Sequence, residues 1–263
     1  MEKHYEFTEE VVQHYDAVLH RIRATKDLPN GVKKGDLGGF VESFDNLSGN
    51  AWVYGNAKVY ENARVYGYAT VCENAMVYGK AEVYNNAWIS GDGRVYGEAL
   101  VCCNAKVYGD AKIHGNALVY GDAEVHGNAE VYNDAEVYSN AQVYGDARVY
   151  DNSKVYGDTK VFGNARVYGY AEVSGKALVS GDFDNETNID TELKGEFINN
   201  TQKLRTAIAE AARNQGSMNK HFSALLGTVE GLKLSPEVVL PIFSDCSELQ
   251  SSLTRLWELS STK

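Results

Sequence analysis

The chain has few of the residues that mark disulfide-bonded, membrane-spanning or metal-binding proteins. Its 263 residues include three prolines and four cysteines, which are Cys72, Cys102, Cys103 and Cys246. These cysteines do not have the spacing of a metal site, so we expect reduced thiols in a cytoplasmic protein. No apolar run is long enough to cross a bilayer. The acidic opening MEKHYEFTEE does not resemble a signal peptide.

A basic surplus is also missing. Lysine and arginine total 25 against 36 aspartate and glutamate residues, for a formal net charge of −11. Electrostatic capture of nucleic acid needs the opposite balance, so we expect none. An acidic rod could instead mimic nucleic acid and bind a protein that recognises it. Solubility is the simpler reason for the negative charge.

What the chain does have is a six-residue repeat of the form A-x-V-Y-G-N/D. Twenty-two such units follow one another from Ala51 to Asp182 without insertion. Alanine and valine two positions apart predict a short extended segment with both side chains inward and tyrosine outward. The Gly-Asn/Asp pair predicts a tight corner. The composition of the two corner slots favours a left-handed backbone at the Asn/Asp slot at least as often as at the glycine slot.

A strand this short cannot bury its valine and alanine alone, so the units must stack. The uninterrupted six-residue repeat covers about half of the chain and resembles the hexapeptide-repeat family of left-handed parallel β-helices. That resemblance implies three units per triangular coil, about seven coils, and a rod filled with aliphatic side chains. The fold class is therefore predicted as mainly β.

Three units per coil place every third unit directly above the first, which defines three outer faces. Face 1 carries the tyrosine column that starts at Tyr60, face 2 the column that starts at Tyr54, and face 3 the column that starts at Tyr66. His114 falls between two tyrosines of face 1, and His126 between two tyrosines of face 2. The two histidines are two units apart and lie on different faces, so they cannot share a metal ion within one chain.

Face 1 is the predicted binding surface because a mostly basic column runs beside its aromatic one. Two interpretations stay open: the stacked rings stabilise the sheet by themselves, or the face is a platform for a sugar, a nucleotide or an acidic partner surface. The candidate binding residues are Tyr60, Tyr78, Arg94, Tyr96, Lys112, His114, Tyr132, Arg148, Tyr150 and Arg166.

The family resemblance also raises the question of catalysis, since hexapeptide-repeat proteins are best known as trimeric acyltransferases with a histidine between subunits. This chain departs from that pattern, because no loop interrupts its coils and no substrate cavity is indicated. His114 is the one weak candidate for a general base. We predict no cofactor and no metal site.

The two ends differ from the repeat. Residues 1–50 are predicted as a small β cap and lead-in, from the alternating segments HYEF and AVLHRIRAT. Three sequence segments resemble poorly characterised hexapeptide proteins of phages, prophages and bacteria. They are LHRIRATKDL, VKKGDLGGFVE and DNLSGNAWVYGNAKVYENA. That resemblance implies a bacterial cytoplasmic setting and supplies no activity.

Residues 183–263 follow a helical period instead. They are predicted as a small amphipathic bundle for capping, oligomerisation or partner binding. A capping box at Asp245 and Glu248 opens its last helix. The apolar face of that helix would mediate a dimer or trimer through Leu249, Leu253, Leu256 and Trp257.

Three functional hypotheses follow. The first is a non-enzymatic scaffold that binds a protein partner, in a phage setting an inhibitor of a host or defence protein. The second is an acyltransferase-like enzyme with its site between subunits. The third is a structural protein whose rods self-assemble.

Overall fold

The computed structural model describes residues 3–183 of the chain. Two strands, β1 (Tyr5–His14) and β2 (Ala17–Ala24), form an N-terminal hairpin, and a 3-10 turn at Phe44–Asn46 follows the third strand. The strands of the coils are β3 (Leu37–Val41), β4 (Trp52–Val53), β5 (Lys58–Val59), β6 (Arg64–Val65), β7 (Thr70–Val71), β8 (Met76–Val77), β9 (Glu82–Val83), β10 (Trp88–Ile89), β11 (Arg94–Val95), β12 (Leu100–Val101), β13 (Lys106–Val107), β14 (Lys112–Ile113), β15 (Leu118–Val119), β16 (Glu124–Val125), β17 (Glu130–Val131), β18 (Glu136–Val137), β19 (Gln142–Val143), β20 (Arg148–Val149), β21 (Lys154–Val155), β22 (Lys160–Val161), β23 (Arg166–Val167), β24 (Glu172–Val173), β25 (Leu178–Val179) and β26 (Asp182–Phe183).

These strands form three sheets, one for each predicted face. Face 1 is the sheet β1-β2-β3-β5-β8-β11-β14-β17-β20-β23-β26, face 2 runs from β4 to β25, and face 3 runs from β6 to β24. Within the repeat, each strand pairs in parallel with the strand three units further on, as Trp88 pairs with Lys106 and Val95 with Ile113. The predicted parallel solenoid with three units per revolution is confirmed.

The solenoid has about eight turns, one more than the seven predicted from the repeat. The extra turn lies before Ala51, where the sequence no longer matches the repeat. Val41 pairs with Val59, and Leu47 forms a parallel bridge with Val65, each exactly one coil ahead. The lead-in therefore coils in register although it lacks the tyrosine of the later units and has their Gly-Asn pair only at Gly49 and Asn50.

The interior is filled by the alanine and valine slots. From Ala51 to Val179 these side chains are at most 1% exposed. Where the alanine slot holds a hydroxyl residue, the hydroxyl is hydrogen-bonded: Ser153 Oγ donates to Tyr150 O at 2.8 Å, and Thr159 Oγ1 donates to Tyr156 O at 2.7 Å. These bonds remove most of the cost of burying a polar group.

The corners correct one sequence-based expectation. The left-handed backbone lies at the glycine slot in every unit from Gly55 to Gly175, including those where the slot holds another residue, and never at the Asn/Asp slot. Each corner is a four-residue turn in which only the first central residue has positive φ. Ala57 N, for example, donates to Tyr54 O at 3.2 Å across Gly55.

The preference for Asn and Asp in the next slot has a different cause. Asn104 Nδ2 donates to Asp122 Oδ1 at 2.9 Å, one coil on, and Asn140 donates to Asp158 in the same way at 2.8 Å. Four amide-to-carboxylate contacts of this kind join successive corners and favour Asn and Asp there without any demand on φ.

The N-terminal hairpin closes the first end of the solenoid. Its strand β2 pairs antiparallel with β3, through His20 and Val41. Tyr5 and Ile22 join the same hydrophobic core as the coils, while Leu19 packs on Phe40 and Tyr60 in a second cluster. The hairpin thus covers the open core with one end and reaches the outer side of face 1 with its turn. Residues 1–50 were predicted as a small β cap and lead-in, and the structure has the two strands β1 and β2 in this segment.

The predicted helical bundle of residues 183–263 falls outside the described residues, apart from Phe183 in β26. The proposed oligomerisation residues also lie outside the described residues; they are Leu249, Leu253, Leu256 and Trp257. Among the residues that the structure describes, no helix has the length and apolar character needed to cross a membrane.

Candidate functional site

Face 1 carries a continuous aromatic column. Seven rings stack with centroid separations of 4.7–5.3 Å and nearly parallel planes, and they are Tyr60, Tyr78, Tyr96, His114, Tyr132, Tyr150 and Tyr168. The column exists because identical slots recur at strand spacing. Each stacked pair contributes about 0.5–1.5 kcal/mol beyond the area it buries.

The stacking limits what the column can bind. Each inner ring presents both of its faces to its neighbours, so those faces are already covered. A nucleobase or a sugar therefore has no open ring face in the middle of the column to stack on. What the column offers outward is ring edges and phenolic hydroxyls. Burial raises the pKa of Tyr78, Tyr96 and Tyr132, so these hydroxyls stay protonated and can donate hydrogen bonds.

A basic column runs beside the rings in the strands of face 1. Lys112 Nζ lies 2.9 Å from Glu130 Oε1, and Arg148 Nε lies 3.6 Å from Glu130 Oε2, so two cations share one carboxylate. Arg94 lies between Met76 and Lys112 in the column. Within residues 3–183, neither Arg94 nor Lys58 forms an ion pair.

The other two faces balance most of their charges within single pairs. On face 2, Lys106 Nζ lies 2.9 Å from Glu124 Oε1. On face 3, Arg64 lies 3.3 Å from Glu82, and Lys154 lies 3.3 Å from Glu136. Face 1 is therefore the face with the largest uncompensated positive charge, although the chain as a whole is acidic.

His114 takes the place of a tyrosine in the face 1 column. Its ring centroid lies 4.7 Å from that of Tyr96 and 5.0 Å from that of Tyr132. Burial lowers its pKa from the ordinary value of 6.5, and the nearby Glu130 opposes that shift. The imidazole is neutral at pH 7. Within the described part of the chain its ring nitrogens make no hydrogen bond to a carboxylate, whereas a general base needs a partner that orients it.

His126 is placed in the same way on face 2. It stacks 4.7 Å from Tyr108 and 5.0 Å from Tyr144, and burial lowers its pKa as well. The sequence-based placement of both histidines between tyrosines is confirmed. Residues 3–183 contain no group of three or more histidine, cysteine, aspartate or glutamate side chains that could hold a metal ion.

The structure adds a cleft that the repeat did not predict. The turn of the hairpin overhangs the first rings of face 1 and encloses about 450 Å³. His14 and Tyr15 come from the turn, whereas Tyr60, Tyr78 and Arg94 come from the coils. The last three were predicted binding residues, and the first two were missed. The sequence signal for them was slight: Tyr-Asp between two alternating segments marks a turn but does not show what the turn covers.

The remaining predicted binding residues, Tyr96, Lys112, His114, Tyr132, Arg148, Tyr150 and Arg166, follow the same face away from the cleft. The structure thus brings all ten candidates onto one sheet.

The adjacent thiols Cys102 and Cys103 lie outside face 1. Their Sγ atoms are 3.7 Å apart, and burial raises the pKa of Cys102. Cys102 interrupts the tyrosine column of face 3 between Tyr84 and Tyr120.

Comparison with known families supports the repeat architecture. Residues 141–157 match the model of a family described as the YdcK beta solenoid repeat. The match spans less than one coil and supports a β-helix repeat protein without assigning the whole chain to that family. Comparison with curated proteins gives no match.

Proposed function

We propose that this chain is a non-enzymatic β-helix scaffold that binds an acidic surface of a protein partner along face 1. The observation that carries the proposal is the uncompensated charge of that face. Its column contains the basic residues Lys58, Arg94, Lys112, Arg148 and Arg166 and two acidic residues, Glu130 and Asp182.

The geometry of the face suits such a role. Rings held between two neighbours lose little freedom on binding, so a partner meets a rigid, preorganised surface. Phenolic hydroxyls and guanidinium groups are effective donors to carboxylates. Charge complementarity of this kind raises the association rate and selects the partner more than it raises the affinity, so binding should weaken with salt.

Charge reversal on two faces tests the proposal. A partner is captured from bacterial lysate with the wild-type chain, identified and purified, and its affinity is then measured by biolayer interferometry. Arg94→Glu with Arg148→Glu should lower the affinity at least about tenfold, because each partly desolvated charge contact contributes on the order of 1.5–3 kcal/mol. The matched control, Lys106→Glu with Lys160→Glu, makes the same change of charge on face 2 and should leave the affinity within about twofold.

Equal losses in both double variants would show that overall charge, not face 1, governs binding. Unchanged affinity in the face 1 variant would move the binding surface to the ends of the chain. Molar mass from light scattering, recorded for the same samples, separates partner binding from self-assembly. A chain that recovers only itself, as large oligomers, would favour the structural hypothesis.

The enzymatic alternative has its own test. We expect no thermal shift and no turnover with acyl-CoA, because the described coils have no interrupting loop and His114 has no orienting partner. Saturable stabilisation by acyl-CoA that is lost in His114→Tyr would support the acyltransferase reading instead.

Two further elements of the proposal rest on resemblance. One is a left-handed coil, which an experimental electron-density map checks directly. The other is a phage or bacterial cytoplasmic setting, in which the scaffold inhibits a host or defence protein. Adding the purified chain to the captured partner should then reduce that partner's activity, and Arg94→Glu with Arg148→Glu should restore it.

A further inference from the structure

The cleft under the hairpin turn is chemically unlike the rest of face 1. It is concave, and its volume of about 450 Å³ lies within the range of small-molecule sites, roughly 300–1,000 Å³. Elsewhere on the face the rings form a regular column. Here the turn breaks the regularity, because Leu19 packs onto Phe40 and Tyr60 and holds the turn above the coils.

Tyr15 at the tip of the turn is held in an unfavourable conformation. Its φ is 49°, a left-handed value that a bulky side chain rarely adopts, and its side chain is nevertheless 84% exposed. Such a conformation costs on the order of 1–3 kcal/mol, and strain of this kind is concentrated at functional sites. An exposed ring yields no burial energy that would offset the strain. The two-residue turn between β1 and β2 uses this positive φ, and Tyr15 is part of the lining of the cleft.

Arg94 forms the cationic wall of the cleft. Its guanidinium makes no ion pair with any residue that the structure describes. Tyr60 is only 4% exposed. Burial raises the pKa of Tyr60 and of Tyr78, so both phenols are protonated donors beside the guanidinium. One cation with neutral hydroxyl donors is a suitable arrangement for a single anionic group.

Three carboxylates, those of Asp16, Glu42 and Glu61, also line the cleft and supply hydrogen-bond acceptors. Glu42 Oε2 accepts a hydrogen bond from Glu61 N at 2.5 Å, and Glu61 Oε2 accepts one from Gly79 N at 2.8 Å. These contacts fix both carboxylates in the cleft wall and leave the second oxygen of each without a hydrogen bond among the described residues. Carboxylate oxygens accept hydrogen bonds from the hydroxyl groups of a ligand.

We propose that this cleft binds a hexose that carries one anionic group, either a hexuronate or a hexose phosphate. The carboxylate or phosphate contacts Arg94 and the phenols of Tyr60 and Tyr78. The sugar hydroxyls donate to Glu42 and Glu61, and the sugar ring lies against Tyr15. The site goes beyond binding of a protein along face 1, because it uses the hairpin turn and a small ligand.

Calorimetric titration tests the proposal with six probes: glucuronate, galacturonate, glucose 1-phosphate, glucose, acetate and inorganic phosphate. We expect a hexuronate or a glucose phosphate to bind at least about tenfold more tightly than glucose, acetate and inorganic phosphate. Binding of hexuronates alone identifies the anion as a carboxylate, and binding of glucose 1-phosphate alone identifies it as a phosphate. Glucose that binds as well as the charged sugars, simple anions that bind as well, or no binding by any sugar up to millimolar concentration overturns the proposal.

Two variants locate the site. Arg94→Gln should weaken binding at least about tenfold, while Lys160→Gln, on face 2 and outside the cleft, should leave it unchanged. Tyr15→Gly should weaken binding and at the same time raise the melting temperature, because glycine adopts the left-handed conformation without strain. A Tyr15→Gly chain that binds the sugar normally, or a Lys160→Gln loss as large as that of Arg94→Gln, would contradict the assignment. Circular dichroism confirms that each variant keeps the β-helix.

Discussion

The capped end and the middle of the solenoid solve the same packing problem in opposite ways. In the middle, each residue lies between two equivalents, one in the coil before and one in the coil after, so the environment of one rung is that of the next. At the capped end the equivalent on one side is missing. The hairpin replaces it with side chains that follow no repeat, such as Tyr5 and Ile22 in the core and Leu19 against Tyr60.

That difference shows where individual features can arise. A regular column distributes stability evenly and gives no position a distinct shape. The end cap interrupts the regular repetition of the coils. At this interruption the structure has a buried tryptophan, a strained tyrosine and a cleft. Exceptions within the coils carry similar information: Glu61 and Glu73, which occupy left-handed corner slots, use their carboxylates to accept from Gly79 N and Gly91 N one coil on.

Two tryptophans in one column of face 2 give the sharpest form of the comparison. Trp52 at the capped end is fully buried, with the His4 ring centroid 6.1 Å from its own, whereas Trp88 two coils on is 39% exposed. Trp52→Ala should cost about 3–5 kcal/mol of unfolding free energy, since it empties a packed site. Trp88→Ala should cost about 1 kcal/mol or less. Urea unfolding measures both, and similar costs would mean that the cap does not hold Trp52 as tightly as described.

Corner glycines test the regularity of the middle. A Cβ on Gly91 would lie 2.8 Å from both the N and the O of Gly109, whereas a Cβ on Gly163 would have nothing within 4 Å. Both residues have φ of 66°. Gly91→Ala should therefore cost roughly 1.5–3 kcal/mol from strain and overpacking together, and Gly163→Ala about 1 kcal/mol from strain alone. Thermal unfolding of the two variants measures the difference, and equal melting temperatures would show that adjacent corners separate easily.

The smallest expected effect concerns the histidines of the columns. Burial lowers the pKa of His114 and His126, so the unfolded chain binds protons that the folded chain does not. Stability from this source is complete above the unfolded value of about 6.5 and falls as the pH drops below it. His114→Tyr with His126→Tyr should flatten the fall in melting temperature between about pH 7 and pH 5. An unchanged slope would assign that pH dependence to other groups, including His4 and His14 at the capped end, whose pKa values are also lowered.

The repeat made the middle of the molecule predictable. A period of six, with alanine and valine two apart, determines which side chains are buried, which residues pair and where His114 stacks. Local turn chemistry was less predictable, because Gly and Asn or Asp both tolerate positive φ and only the turn type distinguishes them. Val41 and Leu47 already keep the spacing of the repeat, but the first coil was left out of the count of seven because, of its other slots, only those of Gly49 and Asn50 match the repeat.

The cleft could not be predicted from the same pattern. Tyr60, Tyr78 and Arg94 were identified from the periodicity, but their concave surroundings depend on how the hairpin packs. That packing is determined by Leu19 against Phe40, a contact between non-repeating segments that no period encodes. The sequence thus located the face, whereas the structure was needed to show the cleft at its capped end.

The constant register has a consequence for how such a chain can change in length. Removal of three consecutive units would delete one coil and leave every column continuous. Removal of a single unit would keep alanine above alanine and valine above valine in the core. It would also rotate all later coils by a third of a revolution, so that the tyrosine column of one face would continue as the column of the next face. Insertions and deletions of whole coils thus change only the length of the solenoid, whereas those of one or two units move every later residue to a different face.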